Sequence, residues 1–248
     1  EWLWHVLQLT NDAVMTLRPG HGLTAATRDV MLHVRTTTQP WLLSADDPRF
    51  LDAIDAALAR CDWAAVGWGV DDNPASLEQI LSHGNSVWRV NIAGQCLERR
   101  IDETVTAAIT TAIANTGQQA SEHLAEAWTS TYGRRPDPDR AYAEAVKAVE
   151  ALAGPLVSPL NNKPTLGTVI RDLGNQTGQW ELSLADEDGH PAPPGRLIEM
   201  LRLLWEGQSR HAGGTNSRRH TQSEAEAALH LAAALVQWLN LGVLRSKP

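Results

Sequence analysis

The chain has 248 residues, 43% of them hydrophobic and 20% charged, with a formal net charge of −8. That balance belongs to a folded globular protein and is too apolar for an intrinsically disordered one. No apolar run approaches the roughly 20 residues that span a bilayer, and the first residues lack a basic segment leading into an apolar stretch, so neither membrane insertion nor secretion is expected.

Two cysteines, Cys61 and Cys96, are too few for a disulfide framework or a cysteine-rich zinc site, and a reducing cytoplasm is the expected setting. The acidic balance argues against nucleic-acid binding over the whole surface, so a polyanion would have to be held by a local basic patch. Arginine (18) far exceeds lysine (3), as expected of coding DNA rich in G and C.

In chain order, the first eighty residues alternate apolar segments with breakers at Pro19-Gly20, Gln39-Pro40 and Asn73-Pro74. Two short helices are expected there: one with Phe50, Leu51, Ile54 and Leu58 on a stripe after Pro48, one with Leu77, Ile80 and Leu81 after Pro74. Trp2, Trp4, Trp41, Trp63 and Trp68 read as core aromatics rather than a binding face. Alternation of Trp88, Val90 and Ile92, a break at Ala93-Gly94, and returning Leu97 and Ile101 predict a β-hairpin over 86–101. Asp102 and Glu103 then open a long helical segment, 102–132, that bridges to the second half; Gly117 interrupts it and Gly133 ends it.

Pro136-Asp137-Pro138-Asp139 stops one helix and starts the next, with Asp137 or Asp139 as the cap. Tyr142, Ala145, Val146, Val149 and Leu152 form its stripe, which Gly154-Pro155 is expected to end. Pro164 and Thr165 open a short helix to about Leu173, and Gly174 to Pro194 reads as a loop. Two further stripes come next, one of Leu197, Met200, Leu201, Leu204 and Trp205, the other of Ala225, Ala228, Leu229, Ala232, Leu235, Val236 and Leu239. The fold class is therefore mainly α: an N-terminal helical region with one β-hairpin (1–101), then an antiparallel helical bundle (102–248) in which the three stripes pack together.

The chain lacks Gly-x-Gly-x-x-Gly, P-loop, His-Glu-x-x-His and Gly-x-Ser-x-Gly strings, and no histidine pair has metal-binding helical spacing; no metal or other cofactor is inferred. The most polar loop is 207–222, between the last two helices. Arg202, Arg210, Arg218 and Arg219 face one acid, Glu206, over residues 201–220. Arginine forks suit phosphate oxygens, glycines such as Gly213 and Gly214 allow close approach, and the amides opening the last helix add positive potential. Arg202, Arg218, Arg219 and His220 are accordingly candidate phosphate contacts, the alternative being a solvated loop whose charges serve solubility. For His123 and Lys147 the alternatives are facing that loop or a capped or solvated role, and the second is expected.

The order His123-Leu124-Ala125-Glu126-Ala127-Trp128, Tyr132-Gly133-Arg134-Arg135-Pro136-Asp137-Pro138, then Ala141 through Glu150, Thr165-Leu166-Gly167 and Arg210-His211-Ala212-Gly213 resembles the C-terminal domain of bacterial abortive-infection proteins, which is similar to the HEPN superfamily of helical bundles. The resemblance covers roughly residues 120–242. It implies a phage-defence protein that interacts with RNA, commonly as a homodimer. It also implies a metal-independent endoribonuclease chemistry in which a ribose 2′-hydroxyl attacks the neighbouring phosphate, histidine moves protons and arginine stabilises the phosphorane. Arg210 and His211 are the catalytic candidates on this reading. Active members place the histidine a few residues after the arginine, whereas Arg210 and His211 are adjacent. The alternative is a catalytically inactive helical module that binds a protein or nucleic-acid partner, of bacterial or phage origin.

Overall fold

The computed structural model describes residues 47–60, 74–91, 95–208 and 218–247, with the side chains of 47–49, 53 and 60 excepted. The five N-terminal tryptophans and the Arg210-His211 pair lie outside the described residues. The chain is mainly helical, divided into two compact units between Arg100 and Ile101. Among the described residues, no helix is long and apolar enough to cross a membrane.

The first unit contains α1 (Asp47–Arg60), α2 (Pro74–His83) and the antiparallel pair β1 (Trp88–Val90) and β2 (Leu97–Arg99). The α1 stripe turns Ile54, Ala57 and Leu58 inward, and Leu97 of β2 is buried as well. Phe50 and Ile80, placed on apolar stripes by spacing, are exposed instead. Asp55 of α1 accepts a hydrogen bond from the Leu97 amide at 2.7 Å, fixing β2 against that helix. After α2 the chain reverses through Gly84 and Asn85; Asn85 adopts φ 49°, a left-handed conformation that asparagine tolerates better than most residues. Across the hairpin, Arg89 pairs with Glu98 in register, Nε to Oε1 at 2.7 Å.

The second unit is a helical bundle: α3 (Glu103–Ala114), α4 (Gln118–Tyr132), α5 (Pro138–Val157), α6 (Leu166–Asn175), α7 (Gly195–Gly207) and α8 (Gln222–Asn240). Segment 102–132 is interrupted at Gly117 as expected, and forms two helices: Gly117 takes an extended conformation and is the N-cap of α4. Both helices belong to the second unit. Asp102 caps α3 by accepting from the Thr104 amide at 2.8 Å, which holds its carboxyl below the usual range.

α5 is the central helix, packing on α4, α6 and α8. It runs through Gly154-Pro155 to Val157 instead of stopping there. Pro155 lies in the last turn, where it removes a single helical hydrogen bond, and Gly154 before it has no Cβ to clash with the proline ring. Gly154 is also required by packing, since a Cβ there would meet Pro164 Cγ at 2.5 Å. The three predicted stripes meet in one core: Tyr142, Val146 and Val149 of α5, Leu197, Leu201 and Leu204 of α7, and Leu229, Leu235 and Val236 of α8.

The expected loop 174–194 holds structure that periodicity does not indicate. A 3₁₀ turn (Thr177–Gln179) leads into β3 (Trp180–Leu182), which pairs antiparallel with β4 (Leu244–Ser246) after α8. The chain then folds back on itself, with Ala185 bridged to Pro191 around a turn where Asp186 Oδ1 accepts from the amides of Asp188 and His190. Each strand is only three residues long, too short for alternation to stand out, and the partner is supplied from beyond α8.

Candidate functional site

One end of the bundle gathers the termini of four helices: α4 and α7 finish there, α5 and α8 begin. The start of α5 is set by Asp137, which accepts from the Arg140 amide at 3.0 Å and so is the N-cap. That leaves Asp139 in the first turn, where its charge complements the helix dipole and its carboxylate is available to another element. The start of α8 is set by a capping box in which Thr221 and Glu224 satisfy each other's backbone amides. Gln222 Nε2 donates to the Thr131 carbonyl at 2.8 Å, fastening α8 to the last turn of α4.

His220 joins these termini. Its backbone amide donates to Asp139 Oδ1 at 2.8 Å, its Nδ1 lies 2.7 Å from the same oxygen, and its Nε2 lies 3.1 Å from the Gly207 carbonyl. The ring stacks on Tyr142, centroids 4.4 Å apart, and the Tyr142 hydroxyl donates to the Leu204 carbonyl at 3.2 Å. Gly207 has to be glycine, because a Cβ would collide with the Tyr142 hydroxyl. A neutral imidazole carries one N–H and can donate to only one of the two oxygens; the doubly protonated ring donates to both. Asp139 is held below the ordinary carboxyl range, chiefly by the hydrogen bond from the His220 amide, then by that from the His220 side chain, with Arg219 contributing through its charge.

His220, a candidate phosphate contact by sequence, is therefore a structural clamp: it is 7% exposed, and both ring nitrogens face protein oxygens. Arg202 is also placed differently from the expectation. It lies on the outer face of α7, about 7–8 Å along the axis from the helix end at 1.5 Å per residue, and pairs with Glu199 at 2.6 Å and more loosely with Glu206 at 4.0 Å. Arg218 and Arg219 do stand at the bundle end, both exposed. Arg218 is gripped by Glu224, and Arg219 lies in the field of Asp139.

Sequence reasoning missed Arg134, Arg135 and Arg140, which the same end presents from the α4–α5 connection and the first turn of α5. Arg135 and Arg140 are exposed and Arg134 is half-buried. A signal exists, in that Arg134-Arg135 sits between two helix ends; local sequence does not say that this turn and the 218–220 segment share an end. Two of the acids there are engaged by the fold and two by the arginines themselves. Asp137 caps α5, Asp139 holds His220, Glu126 pairs with Arg140 at 2.9 Å and Glu224 pairs with Arg218. Arginines suit a backbone phosphate, with charge for attraction and forks for oxygen geometry, whereas the amides opening α5 and α8 are already capped by Asp137 and by the Thr221–Glu224 box.

Away from this end, His123 and Lys147 both bind Glu144, at 2.6 and 2.8 Å, as expected of capped residues. Burial opposes ionisation of Glu144, but the hydrogen bonds from Lys147 and His123 outweigh it and leave its carboxyl below the usual range. Burial, then the charges of Asp55 and Glu98, push the Cys96 thiol up to about 12, which disfavours the thiolate at neutral pH. Among the described residues no group of three or more histidine, cysteine, aspartate or glutamate side chains is arranged to hold a metal ion. Set against models of known families, against curated proteins and against solved structures, the chain matches none of them.

Proposed function

We propose that the second unit is a HEPN-like, defence-associated module that binds RNA through its sugar-phosphate backbone at the arginine-bearing end of the bundle. The observation that carries this reading is the gathering of Arg134, Arg135, Arg140, Arg218 and Arg219 at one end of the bundle, where His220 meets Asp139, in a protein whose net charge is −8. Binding is preferred to cleavage because His220, one of the two histidines of the 207–222 segment, is committed to Asp139 and Gly207. The phage-defence role and association of two copies come from the family resemblance.

Binding of labelled single-stranded RNA, followed by fluorescence anisotropy across a salt series, tests the reading. Arg135→Ala and Arg219→Ala are each expected to weaken binding and to lower the salt slope by about 0.7 for each phosphate no longer neutralised. Absence of binding by the wild type at low ionic strength would remove the reading. The endoribonuclease form, with Arg210 and His211 as its catalytic pair, requires cleavage in EDTA that His211→Ala abolishes. Equal cleavage by both chains, or by neither, removes that form alone.

A further inference from the structure

The fork of Arg218 is filled by a carboxylate. Nη1 donates to Glu224 Oε2 at 2.9 Å and Nη2 pairs with Oε1 at 2.7 Å, a two-pronged grip on both carboxylate oxygens. Those oxygens occupy the place that two phosphate oxygens would take, since the planar guanidinium binds either group in the same manner. Glu224 has a second attachment: Oε2 also accepts from the Thr221 amide at 2.8 Å and from the Thr221 hydroxyl at 3.0 Å. The Arg218 hydrogen bond, then those of Thr221, hold its carboxyl at about 2, so it remains a charged partner through the ordinary pH range.

The pair is open to solvent, with side-chain exposures of 56% for Arg218 and 34% for Glu224. Exposed pairs of this kind add little net stability, so parting Arg218 from Glu224 costs little. Resting on the RNA-binding reading, we propose that Glu224 is an internal competitor for the RNA backbone: it fills the Arg218 fork in the free protein, and a phosphate of the bound strand takes its place. Glu224 keeps its Thr221 contacts when Arg218 leaves, so the exchange does not uncap α8.

The substitution Glu224→Gln isolates this effect, because glutamine also serves as the third residue of a capping box while lacking the charge that holds Arg218. Glu226, which accepts from Gln222 at 3.0 Å, provides the matched control, since Glu226→Gln removes one negative charge two residues away without releasing Arg218. With labelled single-stranded RNA as probe, Glu224→Gln is expected to tighten binding about two- to five-fold, the range an exposed ion pair supports. Glu226→Gln should do less, and the gain should vanish when Arg218→Ala is combined with Glu224→Gln. In the wild type, the Arg218 guanidinium NMR resonances should shift on adding RNA, a readout that needs no variant to fold. Equal gains from the two glutamine variants, a gain that survives loss of Arg218, or unmoved Arg218 resonances in bound wild type would overturn the competitor. Failure of every chain to bind at low salt would instead remove RNA binding itself and the competitor with it.

Discussion

The ring of His220 touches two helices besides the one it precedes, stacking on Tyr142 of α5, facing Asp139 of the same helix and meeting the last carbonyl of α7. By sequence, His220 is a polar residue in a basic stretch. Only its partners, 81 and 13 positions away, make it a clamp. Asp139→Ala would leave the buried His220 amide and Nδ1 without their acceptor, at a cost of about 1–3 kcal/mol near neutral pH. The sign of the pH dependence is set by the direction of the Asp139 shift. A carboxyl held below its unfolded value of about 3.9 contributes stability that is complete above that value and is lost as pH falls through the lower folded one. Denaturation of wild type and Asp139→Ala should therefore differ most near neutrality and converge in acid; a difference independent of pH would show that the carboxylate charge plays no part.

At the scale of elements, helix existence is readable wherever a stripe is long. The stripes of α5, α7 and α8 each repeat over more than two turns and bury large side chains, and that period has no competing interpretation in a strand. Ends are less readable. Pro155 reads as a stop, yet one proline in a final turn removes one hydrogen bond while Pro164, just ahead of α6, packs against the same turn at Gly154. Caps are the readable ends: Asp102, Asp137 and Thr165 all accept from amides in the first turns they open. Thr165 closes a capping box with Thr168, and Thr165→Ala should cost about 1 kcal/mol of stability in chemical denaturation. A change below a few tenths would mean that packing of Leu166, Val169, Ile170 and Leu173 alone fixes the start of α6.

For the molecule as a whole, the unforeseen feature is closure across the sequence. β3 and β4 pair Leu182 with Leu244, and both side chains join the bundle core, so the residues after α8 help bury those after α6. Leu244 is 3% exposed, and Leu244→Ala should cost roughly 2–5 kcal/mol, measured by equilibrium unfolding of the whole chain. An exposed strand loosely laid on the surface would lose far less. The bundle end obeys the same logic. Arg218 and Arg219 are legible in the sequence from local charge, but Arg134, Arg135 and Arg140 join them only because α4 and α5 turn at the end where α7 and α8 turn.

The sequence by itself determined the mainly helical class, the positions of the long helices and the existence of a local basic segment, because periodicity, caps and charge runs are properties of neighbours within a few residues. The tertiary structure alone decided which arginines share one end, that His220 is buried rather than offered to a phosphate, that Glu224 fills the Arg218 fork, and that two three-residue strands meet across α8. Apart from the Arg218–Glu224 contact, whose geometry depends on how the 218–221 turn is held, these are pairings between distant segments, set by the packing of side chains that no local window of sequence contains.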